Sequence, residues 1–254
     1  MKRSSAGSRR MTSAGSTGAD STMKLAAAAM PFAKQCPLCG TAARAFVRDP
    51  KDEDSKHRLR NLKLPGEELG RNEYCPNCGC NSRERLLYLY LLHYTDVFTP
   101  TAPRLRVLAR GEVQRLAERV GKVSRVELAQ DQMDGLFDIV LEDRVLERAD
   151  DDRHTLNLLR DQLIPGGRLI VSEPVSPVLP ATLEDESIIT ERQRKRAFGS
   201  RKRKRVFGAD LEMRIREASL NPQTFDWRND RNRFGGFQNR FALARGQTLM
   251  ICRR

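Results

Sequence analysis

The stretch from Phe137 to Pro174, FDIVLEDRVLERADDDRHTLNLLRDQLIPGGRLIVSEP, constrains the fold more than any other part of the chain. It opens with a short apolar run, Phe137 to Leu141, too brief for a helix and ending in Glu142 and Asp143. Leu156, Leu158, Leu159 and Leu163 then recur at a spacing that lines one face of a helix. Pro165-Gly166-Gly167 is expected to stop that helix, because proline cannot continue it and glycine takes the left-handed cap. Arg168 to Ser172 reads as another buried strand. Strand, helix, tight turn and strand make a βαβ unit, which implies a parallel sheet with helices on its faces.

Two copies of C-P-x-C-G, Cys36-Pro-Leu-Cys39-Gly40 and Cys75-Pro-Asn-Cys78-Gly79, carry the strongest local signal. Each forms a tight knuckle that offers two thiolates, and two knuckles complete a tetrahedral zinc site. Four cysteines fill all positions of such a site, which predicts structural rather than catalytic metal. Cys80 is a fifth thiol beside the site, either an alternative ligand or a bystander, and Cys252 belongs to a predicted strand. Thiols in this pattern favour a reducing, cytoplasmic compartment over a disulfide framework. The insert between the knuckles is charged from Arg48 to Arg60 and reads as an exposed loop.

The remaining elements follow in order. Residues 1 to 30 are rich in small and polar residues with one acid, Asp20, and are expected to be disordered. They read as either an organelle transit segment or an over-extended start. Asn81-Ser82 caps a helix that continues through the apolar run Leu86 to Leu92. No apolar run reaches the roughly 18 residues a membrane span needs. Arg104 to Ala109 and Val123 to Leu128 read as the first two sheet strands. Only nine residues, Ala129 to Phe137, then lead to the next strand. A helical crossover needs about a dozen, so the sheet's usual third strand is expected to be missing. Residues 224 to 252 should supply the closing antiparallel pair, with Phe225 and Trp227 in its core. The expected organisation is therefore a disordered segment (1–30), a zinc-ribbon-like module (31–82) and an α/β domain (83–254).

The helix, P-G-G turn and strand resemble the later half of class I S-adenosylmethionine-dependent methyltransferases. A narrower group of these enzymes begins with two C-P-x-C-G knuckles, a Ser-x-x-Arg helix start and an apolar helix, as do Cys36 to Cys78, Ser82 to Arg85 and Leu86 to Leu92 here. Thr182, Glu184 and Asp185, then Ala197-Phe198-Gly199 and Val206 to Leu211, match that group's downstream segment. The resemblance implies a Rossmann-like sheet, zinc, and S-adenosylmethionine as cofactor. It implies Gly111 and Glu112 near the cofactor's amino-acid end, Glu127 or Asp131 at the ribose, and Glu142 and Asp143 at the catalytic rim. The chain departs from the group where Arg144, Arg148 and Arg203 replace histidines. Arginine does not deprotonate, so any chemistry those imidazoles perform is lost, although anion positioning could persist.

Net charge is +13, which favours anionic partners. Nine cations and no acid fall between Arg192 and Arg205, and Arg201, Lys202, Arg203, Lys204 and Arg205 are the candidate anion-binding set. The bland alternative is a solvated loop. His57, His93 and His154 are scattered, which argues against a histidine-based site. Two functions remain: a zinc-ribbon methyltransferase, or a methyltransferase-like scaffold that holds nucleic acid or another polyanion without catalysis. The enzyme is preferred, because the group itself uses a glycine-poor cofactor turn.

Overall fold

Asn81 and Glu84 exchange hydrogen bonds at the start of helix α1 (Ser82–Tyr94). Asn81 Oδ1 accepts from Glu84 N at 2.9 Å, and Glu84 Oε2 accepts from Asn81 N at 3.1 Å. Leu86 to Leu91 are all buried. A helix covered on every side has no polar face, which is why this run shows no helical periodicity.

The computed structural model describes residues 33–47, 61–65, 73–130 and 135–254. The expected disordered segment, the charged stretch 48–60 and the ribose candidate Asp131 lie outside these residues. Before α1, strands β1 (Lys34–Gln35) and β2 (Ala42–Ala43) form a short antiparallel hairpin around the first knuckle. An isolated antiparallel bridge, Val47 to Tyr74, joins the two halves of the cysteine region.

The central sheet has six strands. They are β3 (Leu105–Gly111), β4 (Val126–Gln130), β5 (Phe137–Asp143), β6 (Leu163–Ser172), β9 (Asn221–Phe225) and β10 (Leu249–Arg253). A two-stranded ribbon, β7 (Leu183–Glu184) with β8 (Arg205–Val206), stands apart from it. The sheet order is β4-β3-β5-β6-β10-β9, with the first four parallel and β10 antiparallel to both its neighbours. This is a Rossmann-like α/β sheet. Among the described residues β4 pairs only with β3, in keeping with the missing third strand. Helices α1 and α2 (Gln114–Val120) cover one face. Helices α3 (Asp152–Asp161) and α5 (Leu211–Glu217) cover the other, through Leu156, Leu159, Leu211 and Ile215. Helix α4 (Glu191–Phe198) lies between β7 and β8 in the chain.

Two expectations are corrected here. Pro165-Gly166-Gly167 does not cap α3, which ends at Asp161 with Gln162 as its right-handed cap. Instead the turn is a bulge inside β6. Leu163 pairs with Phe137 and Arg168 with Ile139, so five residues of β6 oppose two of β5. Gly166 takes φ +79° there. Trp227 is buried but begins a 3-10 turn, Trp227–Asp230, rather than extending β9.

The cysteine region belongs to the same apolar core as the sheet, since Cys36, Leu38, Phe46, Cys75 and Cys80 cluster with α1, Ile139, Ile170 and Trp227. Arg85, fully buried, joins them. It donates to the carbonyls of Glu73 and Cys80 at 3.0 Å each, Phe241 at 2.9 Å and Ala242 at 2.7 Å. Ser82 Oγ accepts from Ala244 N at 2.7 Å and donates to Gln247 Oε1 at 3.1 Å. The Ser-x-x-Arg motif therefore fastens α1 to residues 241–247.

Candidate functional site

Two clusters of acidic groups stand out, one of sulfur and one of oxygen. The Sγ atoms of Cys36, Cys39, Cys75 and Cys78 all lie within 4.8 Å of one another. Cys36 to Cys78 and Cys39 to Cys75 are both 3.7 Å apart. A tetrahedral zinc with bonds of ~2.3 Å separates its sulfurs by ~3.8 Å, so the spacing fits such an ion. The knuckles are related by their hydrogen bonds: Cys36 N donates to Thr41 O and Cys75 N to Cys80 O, each at 2.9 Å. Cys80 thus occupies in the second knuckle the place of Thr41 in the first. Its Sγ is 3.3 Å from that of Cys36. Burial pushes the Cys78 thiol up to about 12, a cost that a bound cation would remove.

The second cluster sits where sheet order reverses, between the C-terminal ends of β3 and β5. Such a switch point opens a crevice in open α/β sheets. Gly111 pairs with Asp143 across the gap at φ +91°, and a Cβ there would lie 1.9 Å from Asp143 O. Only glycine permits so close an approach. The fully buried Asp143 carboxylate accepts from Arg83 Nε at 3.1 Å and from Ser172 Oγ at 2.8 Å. Glu112 accepts from Arg83 Nη2 at 3.1 Å and from Arg148 Nη2 at 2.7 Å. Arginines and acids therefore alternate along the crevice. Burial raises Asp143 to about 6, against the pull of Arg83 and Ser172.

Glu142 and Glu173 form a buried acid pair behind this row. Glu142 Oε1 accepts from Val145 N at 2.6 Å, and Glu173 Oε1 accepts from Leu146 N at 2.8 Å. Burial raises Glu142 to about 7, and burial with the Glu142 and Glu147 carboxylates raises Glu173 well above its ordinary value. The pair therefore holds a proton near neutral pH. Beside it is a cavity of about 40 Å³ lined by Pro65, Arg83, Arg144, Ser172, Glu173 and Gln247. Ser172 and Glu173 were missed by sequence reasoning, although their place at the end of the RLIVS strand marks them as crevice residues.

The structure brings Gly111, Glu112, Glu142 and Asp143 together, but not Glu127. Strand β4 begins at Val126, so Glu127 is only its second residue and pairs with Arg106 near the start of β3. Its carboxylate meets Arg106 Nε at 3.2 Å. Five residues of strand separate Arg106 from Gly111, roughly 16 Å. Glu127 therefore belongs to the opposite end of the sheet and cannot serve the crevice.

The basic run divides into exposed and buried members. Arg201 and Lys202 are exposed. Arg203 and Arg205 are buried. Arg203 Nε contacts Glu147 Oε2 at 2.7 Å, and Arg205 donates to the carbonyls of Leu146 and Ala149 at 2.7 Å each. Lys204 pairs with Asp150. The expected five-residue anion surface is thus reduced at its centre, because internal acids and carbonyls already occupy its inward members. Arg144 Nε reaches Glu147 Oε1 at 3.1 Å and Arg148 Nε reaches it at 3.8 Å. All three arginines standing at histidine positions of the resembling group therefore converge on one carboxylate. Burial works against the Glu147 anion, but Arg144 and Arg203 overcome it and hold its pKa below the ordinary value. Thr182, Glu184 and Asp210, matched to that group in sequence, gather around Arg214. Thr182 Oγ1 donates to Asp210 at 2.7 Å, while Arg214 contacts Glu184 at 2.7 Å and Asp210 at 3.0 Å.

No family model matches this sequence, and no curated protein matches it. The chain is similar in structure to the [4+2]-cyclase SpnF, with TM-score 0.41 and 14% identity over 67% of this chain and 81% of that one. It is similar to the 1,6-didemethyltoxoflavin-N1-methyltransferase of Burkholderia thailandensis, with TM-score 0.37 and 16% identity over 68% and 76%. A third likeness is to an S-adenosylmethionine-dependent methyltransferase of Mesorhizobium loti, with TM-score 0.34 and 14% identity over 62% and 95%. These superpositions are loose, and it is strand order and register that define the fold. No helix among the described residues is long and apolar enough to cross a membrane.

Proposed function

We propose that this chain is an S-adenosylmethionine-dependent methyltransferase carrying a structural zinc on its four knuckle cysteines. The observation that carries the reading is the switch-point crevice, where Gly111 closes against Asp143 beneath alternating Arg83, Asp143, Glu112 and Arg148. That alternation fits the amino-acid end of the cofactor. Glu112 and Asp143 would hold its ammonium, and Arg83 or Arg148 its carboxylate. When bound, the cofactor supplies an electrophilic methyl group. The chain's own contribution is then to orient the two reactants and to keep water out, which needs no catalytic dyad. Glu173 lines the neighbouring cavity, and because burial beside Glu142 and Glu147 favours its neutral form, it is placed to orient an acceptor by donating a hydrogen bond rather than to act as its base. Asp131 directly follows the last residue of β4 and remains the proposed ribose ligand.

Calorimetric titration with S-adenosylmethionine tests this reading. Binding should appear in the parent and weaken at least tenfold in Glu112→Gln. An absence of both heat and thermal shift at millimolar cofactor would overturn it.

One observation favours a second reading. Arg83 spans the crevice from Asp143 to Glu112, so the protein supplies its own counter-charge at the cofactor position. A non-catalytic scaffold that retains nucleic acid or another polyanion through residues 192 to 205 would look like this. The exposed Arg201 and Lys202 would be its contacts, since Arg203 and Arg205 face inward. Replacing Arg201 and Lys202 by alanine should then reduce salt-sensitive retention of nucleic acid, and unchanged retention refutes it.

A further inference from the structure

A groove of about 360 Å³ opens on the α1 face of the sheet, at the end opposite the crevice. Its lining includes Tyr90, Tyr94, Arg168, Gln223, Phe225 and Arg253. Its size suits a small ligand. Arg168 and Arg253 are direct cross-strand partners on β6 and β10. Side chains alternate along strands, so both fall on the side of Ile170 and Ile251, two residues away, which pack with α1. Like charges facing each other across a ladder repel and destabilise the pairing. Among the described residues neither guanidinium has a carboxylate in ion-pair reach. Arg168 is held in place by its bond from Nη1 to Tyr94 O at 2.9 Å, whereas Arg253 is exposed.

Aromatic rings form the other wall. Tyr90 and Tyr94, one helical turn apart on α1, stack at 5.3 Å with their planes 8° apart. Phe225 meets them edge-on at 5.0 and 5.1 Å. Gln223 stands between this wall and the arginines, on the strand that carries Phe225. An uncompensated guanidinium pair beside stacked rings matches a molecule with both an anionic group and a flat π-face.

We propose that this groove binds a small aromatic anion, its phosphate or carboxylate bridging Arg168 and Arg253 and its ring lying against Tyr90, Tyr94 and Phe225. The site is independent of the methyltransferase reading, because Arg168 lies four residues, about 13 Å, along β6 from Ser172 at the crevice.

Phenyl phosphate and benzoate are the probes, titrated into the full chain and followed by tyrosine fluorescence and thermal shift. One or both should bind at submillimolar concentration, and the stronger identifies the anionic group. Inorganic phosphate and acetate, which lack the ring, should bind at least tenfold more weakly. Arg253→Gln removes one exposed cation and should weaken probe binding at least tenfold. Gln223→Trp keeps both arginines but fills the groove, and should abolish binding. Failure of both probes at millimolar concentration overturns the proposal, as does binding that neither variant alters.

Discussion

The thiol cluster and the strand-end crevice pose the same electrostatic problem and solve it differently. Each gathers acidic groups that cannot stay charged side by side in a buried place. The knuckles bring four thiols within 4.8 Å and leave a position that a cation from outside would fill. The crevice brings Asp143, Glu112 and Glu147 together and answers them with Arg83, Arg144, Arg148 and Arg203 from the same chain. External compensation can be withdrawn by a chelator. Internal compensation can be withdrawn only by mutation, and then leaves an unpaired charge behind.

The largest effect should come from removing the external cation. Metal analysis should give about one zinc per chain, and loss of that zinc should cost on the order of 10 kcal/mol, as in small zinc modules. A melting curve unchanged by chelator, or zinc retained in the Cys36→Ser, Cys75→Ser double variant, would break the comparison on its sulfur side. Withdrawing internal compensation should cost less. Arg203→Ala leaves the buried Glu147 with only Arg144 and the more distant Arg148, and should destabilise by roughly 1.5–3 kcal/mol in denaturant unfolding. Adding Glu147→Gln should recover part of that loss, and no recovery would mean that packing rather than charge holds Arg203.

A smaller effect is expected from pH. Burial raises Glu142 to about 7, so its folded form holds a proton more tightly than its unfolded form. Its stabilising contribution is complete below the ordinary carboxylate value and is lost as pH rises through about 7. Glu142→Gln cannot ionise, so its melting temperature relative to the parent should improve between pH 5 and pH 8. A difference constant across that range would show that Glu142 is not the titrating member of the pair. The smallest effect belongs to Arg201→Ala. That exposed side chain lies 3.8 Å from Glu191, and its loss should change stability by less than about 0.5 kcal/mol. A larger loss would mean that Arg201, too, is part of the internal compensation.

What the sequence made legible was what short spacing decides. Each C-P-x-C-G knuckle, the Asn81 cap and the βαβ order depend on residues near one another in the chain. Among the described residues no strand lies beyond β4, in line with the shortness of the link before Phe137. What was not legible depended on register and on distant partners. Placing the second strand at Val123 rather than Val126 puts Glu127 at the wrong end of the sheet, because three residues of strand are about 10 Å. Little near Arg203 or Arg205 marks them as inward-facing, since Glu147 and the carbonyls of Leu146 and Ala149 lie more than fifty residues earlier, and the nearer partners Phe198 O and Glu184 are set by the fold. The Pro-Gly-Gly turn carries the chemistry of both a helix stop and a bulge, and only pairing with Phe137 and Ile139 decides between them.

The bonds from Gln35 N to Arg240 O at 2.8 Å, and from Arg85 to the carbonyls of Phe241 and Ala242, bear on how the molecule is made. A ribosome releases Cys78 long before Arg240, so all four knuckle thiols are made while the segment that bonds to Gln35 and Arg85 has yet to be synthesised. During that interval the thiols lack this part of their surroundings, and exposed thiols are the ones that oxidise. Residues 240–242 clamp that region late, and substitutions there should be felt first at the knuckles.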